Sequence, residues 1–158
     1  MFLEGQPAPS FSLQGSDGKT HTLKDYAGRI LVLFFYPRDN TPGCTAEAVG
    51  FAKLQPLFEQ LGAVLVGVSK DSLKSHEKFS ADFKLPFTLL SDPDASVMKA
   101  YGAYGEKVQY GKTTVGSIRS TVVISPDGMV IKHWPKVPKA SEHPDKVLDF
   151  FKMLAKGR

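Results

Sequence analysis

Apolar positions along the chain fall into two kinds of pattern. Ile30–Tyr36 (Ile-Leu-Val-Leu-Phe-Phe-Tyr) and Ala63–Ser69 (Ala-Val-Leu-Val-Gly-Val-Ser) are short, nearly continuous and β-prone. Such runs predict strands buried on both faces. Pro86–Leu90 predicts a third, shorter strand, and Arg119–Ser125 and Met129–Trp134 flank Pro126-Asp127-Gly128 as the arms of a hairpin. The second pattern is helical. Residues 42–61 predict a helix that Pro56 kinks or divides. Asp71–Lys84 repeats Leu73, His76, Phe79 and Phe83 at helical spacing, Asp94–Tyr101 predicts a helix ending at Gly102, and Asp145–Lys156 a closing one. At the front, residues 7–13 begin extended because proline disfavours helix before it, and Ser16-Asp17-Gly18-Lys19 turns the chain into a return strand at Thr20–Leu23. Tyr104–Ser117 carries three glycines and is expected to be an extended loop.

Strand–helix–strand order in the first half implies parallel pairing, and the late hairpin adds antiparallel strands before a last helix. The expectation is an α/β, thioredoxin-like fold: a mixed central sheet with helices on both faces and an N-terminal hairpin extension. No repeat or linker divides the 158 residues, so a single domain over 1–158 is expected.

Composition narrows the function. One cysteine excludes an intramolecular disulfide, a CxxC pair and a zinc site built from several thiolates. The longest apolar run, Ile30–Tyr36, is too short to span a membrane, and Met1–Gln6 lacks the basic start and apolar stretch of a signal peptide. A cytoplasmic, reducing location is expected, with no membrane partner. A net charge of +4, from 20 basic and 16 acidic residues, is no nucleic-acid signature. Its densest basic part runs from Lys132 to Arg158, but Glu142, Asp145 and Asp149 are interspersed there. His21, His76, His133 and His143 have no metal-ligand spacing, so no metal is expected, and His76 reads as a satisfied structural histidine. There is no P-loop or GxGxxG, and no cofactor is implied. Trp134, Phe150 and Phe151 read as core, and Phe79, Phe83 and Phe87 are candidates to border a site.

The informative stretch is Tyr36-Pro37-Arg38-Asp39-Asn40-Thr41-Pro42-Gly43-Cys44-Thr45-Ala46-Glu47. Thr41 suits a helix N-cap and Pro42 the first helical position. Cys44 then falls in the first turn, where backbone N–H groups lack helical partners and the helix dipole favours negative charge. The same N–H groups can hold an anion or a polar oxygen. An activated sulfur and an oxyanion-type pocket are thus assembled together.

These residues resemble the active-site motif of peroxiredoxins, Pro37-x-x-x-Thr41-x-x-Cys44. The longer Phe35-Tyr36-Pro37-x-x-x-Thr41-Pro42-Gly43-Cys44-Thr45-x-Glu47 is similar to the bacterioferritin-comigratory-protein, or peroxiredoxin Q, subgroup. Further resemblances follow in order: Gly5-x-Pro7-Ala8-Pro9-x-Phe11, Gly67-Val68-Ser69, Asp71-x-x-x-Ser75-His76-x-Lys78-Phe79, Leu85–Asp92 and Arg119-Ser120-Thr121. The resemblance implies a thiol-specific peroxidase of hydrogen peroxide and organic hydroperoxides, serving antioxidant defence. Cys44 would be the peroxidatic cysteine, oxidised to sulfenic acid. Thr41 and the N–H groups of Gly43 and Cys44 would position the peroxide. Arg119 would hold the thiolate and polarise the peroxide, Pro37 would shield the sulfur, and Glu47 would orient Arg119. The subgroup also implies a monomer.

One departure matters. Many subgroup members carry a resolving cysteine five residues after the first, here Val49, or in the next helix, here Ser80. Neither is cysteine. Natural loss and a cysteine-to-serine replacement at Ser80 both fit. Either way, recycling would need an external thiol such as thioredoxin, glutaredoxin or a small thiol. Two other readings stay open: a sensor that passes oxidation on by mixed disulfide, and a holdase-like chaperone with incidental thiol reactivity.

Overall fold

The computed structural model describes residues 3–156. Met1 and Phe2 of the N-terminal reading and Arg158 of the basic stretch lie outside it. The strands are β1 (Ser12–Gly15), β2 (Thr20–Thr22), β3 (Ile30–Phe35), β4 (Ala63–Ser69), β5 (Thr88–Ser91), β6 (Tyr104–Gln109), β7 (Lys112–Ser117), β8 (Ser120–Ile124) and β9 (Val130–Trp134). The helices are α1 (Pro42–Gln60), α2 (Leu73–Phe83), α3 (Ser96–Ala100) and α4 (His143–Lys156), with a short 3-10 turn at Leu23–Tyr26.

Seven strands form one sheet in the order β2-β1-β5-β4-β3-β8-β9. β3 pairs parallel to β4 and antiparallel to β8, and β4 pairs parallel to β5. The N-terminal hairpin adds antiparallel to the β5 edge. The expected thioredoxin-like mixed sheet is therefore present, with the hairpin extension.

Alternation along β3 explains its unbroken hydrophobicity. Leu31, Leu33 and Phe35 enter one core with Val66, Leu90, Met98 and Tyr101, while Val32, Phe34 and Tyr36 enter the other. The second core takes Phe51 and Phe58 from α1, Phe79 from α2 and Val147, Leu148 and Phe151 from α4. Three helices thus cover one face, and short α3 covers the other. Phe51 and Phe58 are fully buried; truncating either to alanine would cost about 3–5 kcal/mol. Phe151 is buried, and Trp134 and Phe150 pack as partly buried residues against the same core. None of the helices described is long and apolar enough to cross a membrane.

One expectation is corrected and one is narrowed. Residues 104–117 are not a loop but the antiparallel hairpin β6–β7, in register from Tyr104↔Ser117 to Gln109↔Lys112. Its turn is made by Tyr110 and Gly111, both at positive φ (53° and 76°), the conformation of a tight I′-type turn. α1 is not divided at Pro56; the helix continues through it, although proline has no N–H to offer the carbonyl one turn back.

Candidate active site

The site lies where β3 ends and α1 begins, at the carboxyl end of the parallel strands, a position that open α/β sheets favour for ligands. After Phe35 the chain runs through Tyr36–Asn40, where Asn40 takes a left-handed conformation (φ 64°) and reverses the path. Asparagine tolerates this better than most residues. Thr41 follows in extended conformation as the N-cap, and Pro42 opens the helix. The first helical bond runs from Thr45 N–H to the Thr41 carbonyl (2.8 Å). The N–H groups of Gly43 and Cys44 precede it and have no acceptor within the helix. Cys44 itself is 2% exposed.

Arg119 comes from the residue just before β8. Its backbone is held on both sides: Ile118 N–H donates to the Ala103 carbonyl (2.7 Å), and Val137 N–H donates to the Arg119 carbonyl (2.9 Å). From there the guanidinium forks. Nη2 donates to Cys44 Sγ at 3.2 Å and Nη1 to Glu47 Oε1 at 2.7 Å. Burial works against the Arg119 charge, but Glu47 and Cys44 outweigh it and raise its pKa further. Glu47 is fully buried. Burial pushes its carboxyl up to about 7, against the pull of Arg119. Its other oxygen, Oε2, has no hydrogen-bond partner among the described residues. Gly43 makes the approach possible: a Cβ there would meet Arg119 Nη2 at 3.2 Å.

The structure therefore brings together Cys44, Gly43, Glu47 and Arg119. Beside them, Pro37 and Arg119 line a cavity of about 600 Å³ with Lys107, Ile118, Lys136 and Val137; Cys44, Gly43 and Glu47 are not among its lining residues. Thr41 differs from the expected capping role. Its side chain caps no helical N–H; Oγ1 donates to the Arg38 carbonyl (2.9 Å), which leaves the oxygen free to accept. Phe79, Phe83 and Phe87 do not line the cavity. Phe79 and Phe87 belong to the core, and Phe83 packs edge-on against Phe79 at its margin.

Sequence reasoning missed the floor beneath this loop. Asp39 is buried and accepts from Tyr36 Oη (2.5 Å) and Ser75 Oγ (2.8 Å), with His76 Nδ1 at 2.7 Å from Oδ2. His76 Nε2 lies 2.9 Å from the Leu90 carbonyl, so both ring nitrogens are partnered, as expected of a structural histidine. Asp71 sits beside the pair and accepts from Asp39 N–H and Ser69 Oγ. Ligand-type atoms of these three residues lie within 4.8 Å of one another, but they are already used in hydrogen bonds. Residues 37 positions apart give no local signal of such a pair.

A single thiol on a thioredoxin-type sheet leaves no second cysteine in the chain for intramolecular dithiol exchange. The chain belongs to the AhpC/TSA family, which matches residues 4–133. It is 45% identical over 152 residues to peroxiredoxin Bcp of Xanthomonas campestris, covering 95% of this chain and 94% of the relative. Peroxiredoxin Bcp of Bacillus subtilis is 42% identical over 151 residues, covering 96% of each. Among solved structures, the X. campestris bacterioferritin comigratory protein, studied for alkyl peroxide reduction, superposes with a TM-score of 0.85 at 44% identity over 92% of each chain. Peroxidoxin BcpB of Mycobacterium tuberculosis gives 0.85 at 30% identity, covering 97% of this chain and 98% of that one. The chain is a peroxiredoxin of the Bcp and peroxiredoxin Q kind, an oxidoreductase that reduces hydroperoxides at the expense of thiols.

Proposed function

We propose that Cys44 is the peroxidatic cysteine and that Arg119 and the start of α1 carry its chemistry. The thiolate attacks one peroxide oxygen in line. An S–O bond forms, the O–O bond breaks, and Cys44 becomes sulfenic acid. The departing oxygen takes a proton and leaves as water or an alcohol. Charge moves from sulfur to that oxygen, so donors aimed at it act mainly in the transition state. Those donors are the N–H groups of Gly43 and Cys44 and the Arg119 guanidinium. Thr41 Oγ1, whose proton goes to the Arg38 carbonyl, accepts a hydrogen bond from the peroxide and orients it. Glu47 holds Arg119 in place, and Pro37 walls the sulfur from bulk water. Organic hydroperoxides, including alkyl ones, fit the cavity beside Arg119.

With one cysteine in the chain, reduction comes from outside. A thiol displaces water from the sulfenic acid to form a mixed disulfide, and a second thiol releases Cys44 and takes the disulfide away. Thioredoxin, glutaredoxin and small thiols all satisfy this balance. We further propose a cytoplasmic monomer folded as one domain over 1–158.

The observation that carries the reading is the Arg119 fork onto Cys44 and Glu47. The test is rapid mixing of reduced protein with hydrogen peroxide, followed by fluorescence of the single tryptophan, Trp134, and by intact mass. Fast addition of one oxygen, lost in Cys44→Ser, supports it. Oxidation no faster than a free thiol, or full activity in Cys44→Ser, overturns it.

A further inference from the structure

Residues 37–41 run between the end of β3 and the first turn of α1 and carry Pro37 and Thr41. α1 holds only the end of this loop, through Thr45 N–H on the Thr41 carbonyl (2.8 Å), while Asn40 lies in a left-handed conformation and Thr41 turns its hydroxyl back to Arg38. The hold comes from below. Asp39 is 7% exposed, His76 is fully buried and Tyr36 is 1% exposed. Hydrogen-bond accounting fixes their roles. The Leu90 carbonyl can only accept, so His76 Nε2 carries a proton. Nδ1 and Asp39 Oδ2, 2.7 Å apart, then share another. Oδ1 takes the Tyr36 hydroxyl and Oδ2 also takes Ser75, so the carboxyl is held on both oxygens. The Asp39 backbone N–H is pinned separately by Asp71 at 2.8 Å. One side chain thereby ties the loop to the end of β3, to α2 and, through His76, to β5.

We propose that Asp39, gripped by His76 and Tyr36, is the positioning residue that keeps the 37–41 loop and the first turn of α1 in the peroxide-ready arrangement. It acts through Pro37, Thr41 and the Gly43 and Cys44 N–H groups, and touches neither sulfur nor peroxide. The proposal rests on the peroxidase reading and names the side chain that holds the closed arrangement. A hydroperoxide is small and reacts with the site closed. An external thiol must reach a sulfur that is 2% exposed, which requires the loop to give way. Asp39 therefore favours oxidation and opposes access. Loosening it moves the two in opposite directions, and thermal melting of the same variants shows whether the whole fold has loosened instead.

The test uses the full chain with Tyr36→Phe, Ser75→Ala, Asp39→Asn and Asp39→Ala. Tyr36→Phe keeps the ring in the core and removes one hydrogen bond, so it serves where Asp39→Ala does not fold. Two rates are read for each reduced protein: oxidation of Cys44 by hydrogen peroxide, and alkylation of Cys44 by iodoacetamide. Peroxide oxidation is expected to fall roughly 10- to 100-fold in Asp39→Ala, as a misplaced site of this kind would. Alkylation rises, and Asp39→Asn and Tyr36→Phe fall between. Folded Tyr36→Phe and Ser75→Ala with both rates within twofold of the parent would overturn the proposal, as would parallel loss of both rates. A parent that itself oxidises slowly would instead overturn the peroxidase reading.

Discussion

Glu47 Oε1 accepts a 2.7 Å hydrogen bond from Arg119 Nη1 across 72 positions of sequence, and it does so from a site with no solvent exposure. A buried carboxylate is costly to keep ionised, and a buried pair is costly to break from one side, by about 3–5 kcal/mol. Glu47 is thus a strong orienting partner only while it is charged.

Its carboxyl is pushed up to about 7 by burial. As pH falls through that value Glu47 gains a proton and its grip on Arg119 weakens. The peroxide oxidation rate is expected to fall between pH 8 and 6. Glu47→Gln keeps an acceptor without the charge; it should start roughly tenfold lower, the scale of one charge-assisted hydrogen bond, and lose that limb of the profile. Stopped-flow oxidation across this range checks both. An unchanged limb in Glu47→Gln would assign it to another group.

Arg119 serves two acceptors with two different nitrogens. A lysine ammonium is a point charge and cannot hold that fork. Arg119→Lys should lose most of the rate, about 100-fold, and Arg119→Ala at least as much. Thermal melting of both variants separates loss of the fork from loss of the fold. Arg119→Lys within threefold of the parent rate would show that charge alone suffices.

Gly43 offers a test in which stability and activity part company. Alanine is the better helix residue by about 1 kcal/mol, yet a Cβ there sits 3.2 Å from Arg119 Nη2. Gly43→Ala should melt no lower than the parent while its oxidation rate falls several-fold, because the guanidinium must shift off the sulfur. A parent-like rate would mean that Arg119 accommodates the methyl group without leaving Sγ.

Much of this arrangement was legible in the chain. Continuous burial of β3, Thr-Pro-Gly-Cys at a strand-to-helix junction and the Pro-Asp-Gly turn are local signals with strong physical causes. What escaped was either exposed or long-range. β7 is exposed along most of its length, so β6–β7 shows no core-facing alternation, and its glycines suggested a loop. The side chain of Thr41 had two competing acceptors and donors within four residues, and nothing local chose between them. Asp39 and His76 lie 37 positions apart, and only the packing of α2 under the loop makes them neighbours.

His143 opens α4, is 2% exposed and lies 2.8 Å from Thr121 Oγ1 in β8. Burial, helped by Lys146 and Arg119, lowers its pKa to about 4, against an ordinary 6.5. Between those values the unfolded chain binds a proton that the folded chain refuses. This contribution to stability is present above pH 6.5 and is lost as pH falls towards 4. Glu47 acts in the opposite sense: with its pKa raised to about 7 from 4.5, the folded chain holds a proton the unfolded chain releases, and stability falls as pH rises through that window. The two contributions oppose one another across the overlap. Replacing His143 with glutamine, which still offers a polar partner to Thr121, removes one arm; chemical denaturation should then show stability declining as pH rises from 4.5 to 6.5. A profile identical to the parent's would show that His143 titrates alike in the folded and unfolded chain.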